Sequence, residues 1–482
     1  MGATVAVPVW LLVILVALAG WWLLDRLLVP SVRWLIRRRV DRVLDEINQR
    51  LNIKIQPFRL TRRQALVDLL AYDAKVVEAA HAHAAETGQP REVVMAEVRA
   101  YAEEIVPAFN AYVYFRIGYW LARRVARSLY RVRIGSVDAD GLKTIPQDST
   151  VVFVMNHRSN MDYVLVAFLA AEQAALSYAV GEWARVWPLQ ALIRAMGAYF
   201  IRRNSKSPLY RRVLERYVRL ATDNGVAQAV FPEGGLSRDG SLRPPKMGLL
   251  DYMLRGFDAK GERDIVFVPV AINYDRVLED RTLLLSADPQ APKRGAAHAV
   301  RTTLGFWAGQ ARLAFQGRWH RFGYACVNFG TPVGVRAWAE ARGVDFRALP
   351  TEARQARVGD LATELMARIG ALVPVLPVPL IARVLLAAEA PLSALEVKAR
   401  VARLIETLEA AGAQIQIPRR TRDHALDQGL RQLLIRRLAV SDTGEADGLI
   451  QAAPGDRTVL AYYANSLAHL LPAEGPAVAA VA

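Results

Sequence analysis

A histidine and an aspartate stand five residues apart in the stretch NHRSNMDYVL, residues 156–165, directly after the apolar run VVFVM. A neutral imidazole can take the proton of an alcohol near neutral pH, and a carboxylate beside it fixes the tautomer and stabilises the imidazolium. Such a pair suits acyl transfer to a hydroxyl, with His157 as general base and Asp162 as its orienting partner. A five-residue offset does not align two side chains on one helix face, where neighbours are three or four apart. The pairing therefore needs His157 before a helix, Ser159 at its N-cap and Asp162 in its first turn. The spacing Ser159-x-x-Asp162 also reads as a capping box, which needs no chemistry.

Two clusters follow downstream. The stretch GAYFIRRN carries Arg202 and Arg203 at the end of a strand-like run. Guanidinium forks there suit a phosphate, although paired arginines after a strand can equally be solvated. In FPEGGLSRDG, Gly234 and Gly235 let the backbone approach a ligand and present its N–H groups. Glu233 can orient a neighbour or accept from a substrate hydroxyl, while Arg238 and Lys246 (in PPKMG) are further phosphate candidates. A plain strand-to-turn link would also favour Pro and Gly, but it needs neither the Glu nor the Arg. The one cysteine, Cys326, sits in the strand-like YACVNFG and reads as a small buried residue rather than a nucleophile. No paired cysteines or HExxH pattern suggests a zinc site, and the chemistry above calls for no cofactor.

The elements that must position these residues begin near Val137. Short apolar runs such as STVVFVM, VAQAVF and DIVFVPVAINY alternate with helix-length stretches such as DYVLVAFLAAEQ. This pattern predicts an α/β fold with a mostly buried mixed sheet flanked by helices. Sites in open α/β sheets gather at strand ends, where the polar clusters fall. Upstream, residues 25–136 read as helical. Within them Ala108–Gly135 is rich in aromatics and arginines, and either lies in a membrane interface or packs as one helix of a soluble hairpin. Three prolines in GALVPVLPVPLIARVLL mark a change to a small α-rich domain. The expected organisation is 1–24, 25–136, 137–372, 373–471 and a disordered tail, 472–482.

The chain has 482 residues, with 62 Lys plus Arg against 46 Asp plus Glu and a formal net charge of +16. That balance favours anionic partners. From Ala3 to Leu24 no residue is charged; Trp21 and Trp22 stand near the end of this stretch, and Arg26, Arg33 and Arg37–Arg39 follow it. This predicts an uncleaved transmembrane anchor in the cell (inner) membrane with the remainder on the cytoplasmic side. The start lacks the basic residues of a signal peptide. An anchor directs the positive charge toward anionic membrane lipid and away from nucleic acid, which is not expected as a partner. The rival is a membrane-anchored nucleic-acid-binding or scaffold protein built on a winged-helix-like C-terminal module.

Taken in order, NHRSNMDY, GAYFIRR (Gly197–Arg203), EGGLSRDG (Glu233–Gly240) and the Val268–Asp275 strand resemble the four blocks of the glycerolipid acyltransferase family, in its glycerol-3-phosphate acyltransferase branch. VNFGTPV resembles the turn that follows them, and LAYYANSLAHLL extends the likeness toward residue 471. The resemblance implies an acyltransferase domain over 137–372. It implies transfer of a fatty acyl group from acyl-CoA or acyl-carrier protein to the sn-1 hydroxyl of glycerol 3-phosphate, without an acyl-enzyme, giving lysophosphatidic acid. The same chemistry on dihydroxyacetone phosphate or lysophosphatidate is the alternative. By resemblance His157, Asp162 and Glu233 are catalytic. Arg158, Ser159, Arg202, Arg203, Gly234, Gly235, Ser237, Arg238 and Lys246 are then substrate-binding. One departure stands out: the family pattern commonly has Arg where this chain has Leu236.

Overall fold

The computed structural model describes residues 58, 61–170, 176–181, 189–202, 205, 207–287, 321–417, 419–444 and 448–471, with isolated positions at 305, 309 and 312. The expected anchor and tail, and Arg203, lie outside the described residues. No helix among the described residues is long and apolar enough to cross a membrane.

Three helices come first: α1 (Arg63–Ala71), α2 (Ala74–Thr87) and α3 (Arg91–Ile105). A π-helical segment (Val113–Gly118) runs directly into α4 (Tyr119–Leu129). The sheet then begins with β1 (Arg131–Val137) and β2 (Thr150–Met155), followed by α5 (Met161–Ala170), β3 (Ser177–Val180), β4 (Tyr199–Phe200), α6 (Pro208–Asp223) and β5 (Gln228–Val230). After α7 (Gly248–Leu254) come β6 (Ile265–Tyr274), β7 (Tyr324–Phe329), β8 (Val333–Gly334) and the long α8 (Thr351–Leu372). The strand order is β1-β7-β6-β2-β5-β3-β4, with β8 also on β6. Strands β6, β2, β5, β3 and β4 run parallel to one another, β7 and β8 meet β6 antiparallel, and β1 is parallel to β7, so the sheet is mixed.

Side-chain alternation divides the two faces. On β2, Val151, Phe153 and Met155 enter one core while Val152 and Val154 enter the other. On β6, Val268, Val270, Ile272 and Tyr274 join the first and Phe267 and Ala271 the second. Both faces are covered, which is why these strands read as continuous apolar runs rather than alternating ones. The second face is covered by α1–α3, α6, α7 and α8.

The C-terminal segment covers the first face. It comprises α9 (Pro377–Ala387), α10 (Ala394–Ala410), α11 (Arg422–Ile435), the hairpin β9 (Ala439–Ser441) and β10 (Ile450–Ala452), and α12 (Arg457–Ala464). Buried residues of α9–α12 form one cluster with those of β2, β6 and β7. With the Leu392–Ile450 bridge, α9 to β10 follow the helix–strand–helix–helix–hairpin order of a winged helix. Its α9 is spent on the core, however, and the hairpin sequence SDTGEADG is acidic, which opposes a nucleic-acid backbone.

Candidate active site

The clusters read from the sequence lie beyond the C-terminal ends of the parallel strands β2, β5 and β6. As the chain leaves β2, the Asn156 side chain extends the ladder: Nδ2 donates to the Ile272 carbonyl at 2.9 Å, and Oδ1 accepts from the Ile272 N–H at 2.8 Å. Ser159 then caps α5. Its Oγ accepts from the Met161 N–H at 3.1 Å, and Asp162 Oδ2 accepts from the Ser159 N–H at 3.0 Å. The same Oδ2 accepts from the Arg158 N–H at 2.7 Å and from His157 Nδ1 at 2.8 Å. Asp162 Oδ1 accepts from the Tyr274 hydroxyl at 2.7 Å. The cap and the His–Asp pair are thus a single structure. The helix entry leans Asp162 back toward the residues before it.

The imidazole is held on every side. It stacks on Phe231 at 4.0 Å between centroids and meets Tyr163 edge-on at 5.4 Å. The His157 N–H donates to Glu233 Oε1 at 2.9 Å, and its carbonyl accepts from the Ser237 N–H at 2.9 Å. In the neutral tautomer whose Nδ1 donates to a carboxylate, the lone pair is on Nε2. That nitrogen has no hydrogen-bond partner among the described residues, and His157 lines a cavity of about 580 Å³.

Among the described residues, three cations line the same cavity: Arg238, Arg243 and Lys246. No Asp or Glu of the described residues lines it. Gly234 is built for this loop, because its φ is +66° and a Cβ there would stand 2.7 Å from Lys246 Cδ. Lys246 is also fixed through its N–H, which donates to the Pro232 carbonyl at 2.7 Å. Arg243 Nη1 donates to the Leu236 carbonyl at 3.4 Å. Other parts of the wall are apolar and include Ile201, Leu249, Leu250 and Leu283.

Glu233 is buried and does not line the cavity; it joins two loops. Oε1 takes the His157 N–H and Oε2 takes the Arg243 N–H at 3.1 Å. Burial pushes its carboxyl up to about 7, against the pull of those two donors. It therefore ties the backbones of His157 and Arg243 together, which corresponds to the neighbour-orienting alternative of the two that the sequence left open. Arg243 was not among the candidates. It lies in the Pro-flanked stretch SLRPPKMG, which matches no motif, yet it gives this cavity a third cation in a chain that has Leu236.

Several expected contacts are not made. Arg202 does not line the cavity. Its fork is taken by Glu104 of α3, with Nη2 at 2.6 Å from Oε2 and Nε at 3.0 Å from Oε1, and lies over the rings of Tyr101 and Tyr210. Arg158 turns away into the protein, where it donates to the Gly240 carbonyl and packs over Tyr462. Ser159 Oγ donates to Glu279 at 2.7 Å in addition to capping. Ser237 Oγ accepts from the Gly240 N–H at 3.0 Å and donates to the Ser241 carbonyl at 2.7 Å, shaping its own loop. These three side chains serve the loops rather than the cavity.

The C-terminal segment braces the site from behind. Tyr462 O–H donates to the Arg158 carbonyl at 3.2 Å, and Asn465 Nδ2 donates to the Asp239 carbonyl at 3.0 Å. Tyr463 O–H accepts from the Val277 N–H at 3.1 Å. Asp275, next to Tyr274, accepts from the N–H groups of Tyr324 and Val378 at 2.7 and 2.9 Å, tying the end of β6 to β7 and α9.

Comparison with known proteins agrees with this layout. A family model described as Acyltransferase matches residues 136–273, and one described as Glycerol-3-phosphate acyltransferase C-terminal region matches 311–482. A glycerol-3-phosphate acyltransferase of Pseudoalteromonas atlantica is 27% identical over 87% of this chain and 51% of its own length. One from Aeromonas hydrophila is 29% identical over 86% of this chain and 50% of its own. One from Pseudomonas fluorescens is 34% identical over 43% and 24%. The chain therefore spans about half the length, or less, of these curated relatives. A solved structure, the 1-acyl-sn-glycerophosphate (LPA) acyltransferase of Thermotoga maritima, overlaps 53% of this chain and 80% of its own with a TM-score of 0.28 and 20% identity. With both family models matched in order, this chain belongs to the glycerolipid acyltransferase family, in the branch that carries the glycerol-3-phosphate acyltransferase C-terminal region.

Proposed function

We propose that this chain transfers a fatty acyl group from a thioester, acyl-CoA or acyl-carrier protein, to the sn-1 hydroxyl of glycerol 3-phosphate. The observation that carries the reading is the pairing, in one cavity, of an Asp-oriented imidazole with three cations. In the reaction Nε2 of His157 takes the hydroxyl proton as the oxygen attacks the thioester carbonyl. The carbon–sulfur bond then breaks, and the departing thiolate takes the proton from the imidazolium. Asp162 holds the tautomer and stabilises the imidazolium between these two transfers. Arg238, Arg243 and Lys246 hold the acceptor's phosphate, Arg243 supplying a guanidinium that position 236 does not. Glu233 keeps the base and Arg243 in fixed relation. The apolar wall accepts the start of the acyl chain. The oxygen attacks directly, without an acyl-enzyme, so the kinetics are sequential rather than ping-pong. The uncharged stretch Ala3–Leu24 supports a membrane anchor with the site on the cytoplasmic face, where an amphiphilic product would partition.

The test is acyl transfer by purified protein with glycerol 3-phosphate, dihydroxyacetone phosphate and lysophosphatidate as acceptors. Preference for glycerol 3-phosphate, lost in His157→Ala, is expected. Full activity in His157→Ala ends the base assignment, and preference for lysophosphatidate overturns the acceptor.

A further inference from the structure

The aromatic and basic stretch between α3 and β1 was ambiguous from sequence between a membrane interface and a packed helix. The structure packs one side of it against the core and leaves the other side exposed. Ala122, Ala126 and Leu129 of α4 are buried in the first core, beside α5. The other side is exposed. Trp120 is 59% exposed, Ile117 46%, Tyr112 44% and Leu121 38%. These are large apolar side chains whose burial is incomplete although a core lies one helix face away. Around them stand Arg116, Arg123, Arg124 and Arg127, all exposed. None of the four has an ion-pair partner among the described residues. The sequence has no Asp or Glu from Ile105 to Val137, so nothing local neutralises them.

On α4, residues 120, 123, 124 and 127 follow the three- and four-residue spacing of one helix face. Arg123 and Arg124 are therefore the helical neighbours of Trp120, and Arg127 stands one turn further along, over the ring of Phe168. Exposed rings and aliphatic groups among unpaired arginines match a bilayer interface: the apolar groups enter the headgroup boundary while guanidinium groups reach anionic headgroups. Each basic residue adds attraction to an anionic surface that salt screens. A nucleic acid would use the arginines but leave Ile117 and Leu121 in water.

We propose that the outer face of the π segment and α4 is the surface by which this chain docks on an anionic lipid bilayer. The α4 helix packs on α5, which carries Asp162 in its first turn and Tyr163 in the cavity wall. Docking through its other side would hold the site beside the lipid. The proposal deepens the acyltransferase reading and rests on it for its use, though not for its chemistry.

The uncharged N-terminal stretch could by itself hold the full chain on any vesicle, so the measurement must be local. Cys326 is the one cysteine and is buried, which allows a single-site probe. In full-length Cys326→Ser protein, Leu121→Cys is labelled with an NBD fluorophore, and Leu395→Cys, also exposed, serves as reference. Vesicles are phosphatidylcholine alone or with roughly one-third phosphatidylglycerol. The expected result is a blue shift and intensity rise at position 121 on the anionic vesicles only, with none at 395. Replacing Arg116, Arg123, Arg124 and Arg127 together by Gln should abolish the shift. It should leave acyl transfer from a short-chain, water-soluble thioester unchanged.

Three outcomes overturn the proposal. The first is a label at 121 that stays in water on anionic vesicles, whether or not the protein binds nucleic acid. The second is an equal shift on neutral vesicles. The third is a blue-shifted label before any vesicle is added, which would mean that another segment or a second copy covers this face. A shift as expected in a chain that lacks acyl transfer would leave the docking surface intact and remove the acyltransferase reading instead.

Discussion

Two strand ends in this molecule look alike in sequence and behave differently in space. After β4 comes Arg202, and after β5 comes a loop bearing Arg238, Arg243 and Lys246. At the first, Glu104 from α3 meets the guanidinium in a two-pronged ion pair, and two tyrosine rings flank it. At the second, no carboxylate among the described residues lines the cavity that the cations share with His157. Glu233, which joins the two loops behind it, spends both oxygens on main-chain N–H groups. A strand-end arginine is thus available to a phosphate only where the fold withholds carboxylates from it. Glu104 converts a similar residue into a tie between α3 and the sheet.

The largest test of this contrast is the base that the second loop serves. His157→Ala should lower kcat by roughly 10²–10⁴-fold while leaving the acceptor KM near its original value. Asp162→Asn should come within about tenfold of that loss, since an amide nitrogen in place of Oδ2 would confront three N–H donors. A near-normal kcat in both would remove the reason for the cations to be where they are.

Next come the cations themselves. Arg238→Ala, Arg243→Ala and Lys246→Ala should each raise the KM for glycerol 3-phosphate by roughly ten- to a hundredfold, with the acyl-donor KM changed much less. Leu236→Arg placed in the Arg243→Ala protein should recover part of that loss. Equal effects on both substrates would deny the phosphate role.

Glu233 offers a pH-resolved version. Its folded carboxyl titrates near 7, above the ordinary glutamate value, so the neutral form is the one that folding favours. The group's contribution to stability is therefore complete below the ordinary glutamate range and is lost as pH rises through about 7. Relative to Glu233→Gln, the wild-type protein should be more stable at about pH 5 than at about pH 8, by on the order of 3 kcal/mol, in denaturant unfolding at the two pH values. A difference that does not change with pH would show the carboxyl to be titrating elsewhere.

The smallest effect is expected at the first loop. Arg202→Ala should shift the acceptor KM less than about threefold and cost about 1 kcal/mol of stability or less, because its pair is partly open to water. A large, selective rise in acceptor KM here would erase the contrast.

Much of this was legible without coordinates. Residue order alone marks buried strands at β2 and β6, because both faces of the sheet are covered and each strand must be apolar throughout. It also marks His157 and Asp162, since five residues bridge a strand exit and a first helical turn by local geometry. Ser159 at the cap and Gly234 at a positive φ are local in the same way. What could not be read was set by distance along the chain. Glu104 neutralises Arg202 from 98 residues away. Arg158 was expected to face substrate, but Gly240 and Tyr462 draw it inward from 82 and more residues off. Arg243 sits in a stretch with no motif, and its N–H is held by the carboxylate of Glu233, ten residues away. Local sequence thus determined which residues could do chemistry, through helix entry, strand alternation and glycine φ. Only the tertiary structure decided which of the arginines keep a free charge, because a charge is cancelled by whatever carboxylate the fold brings within a few ångströms, however far off it lies in sequence.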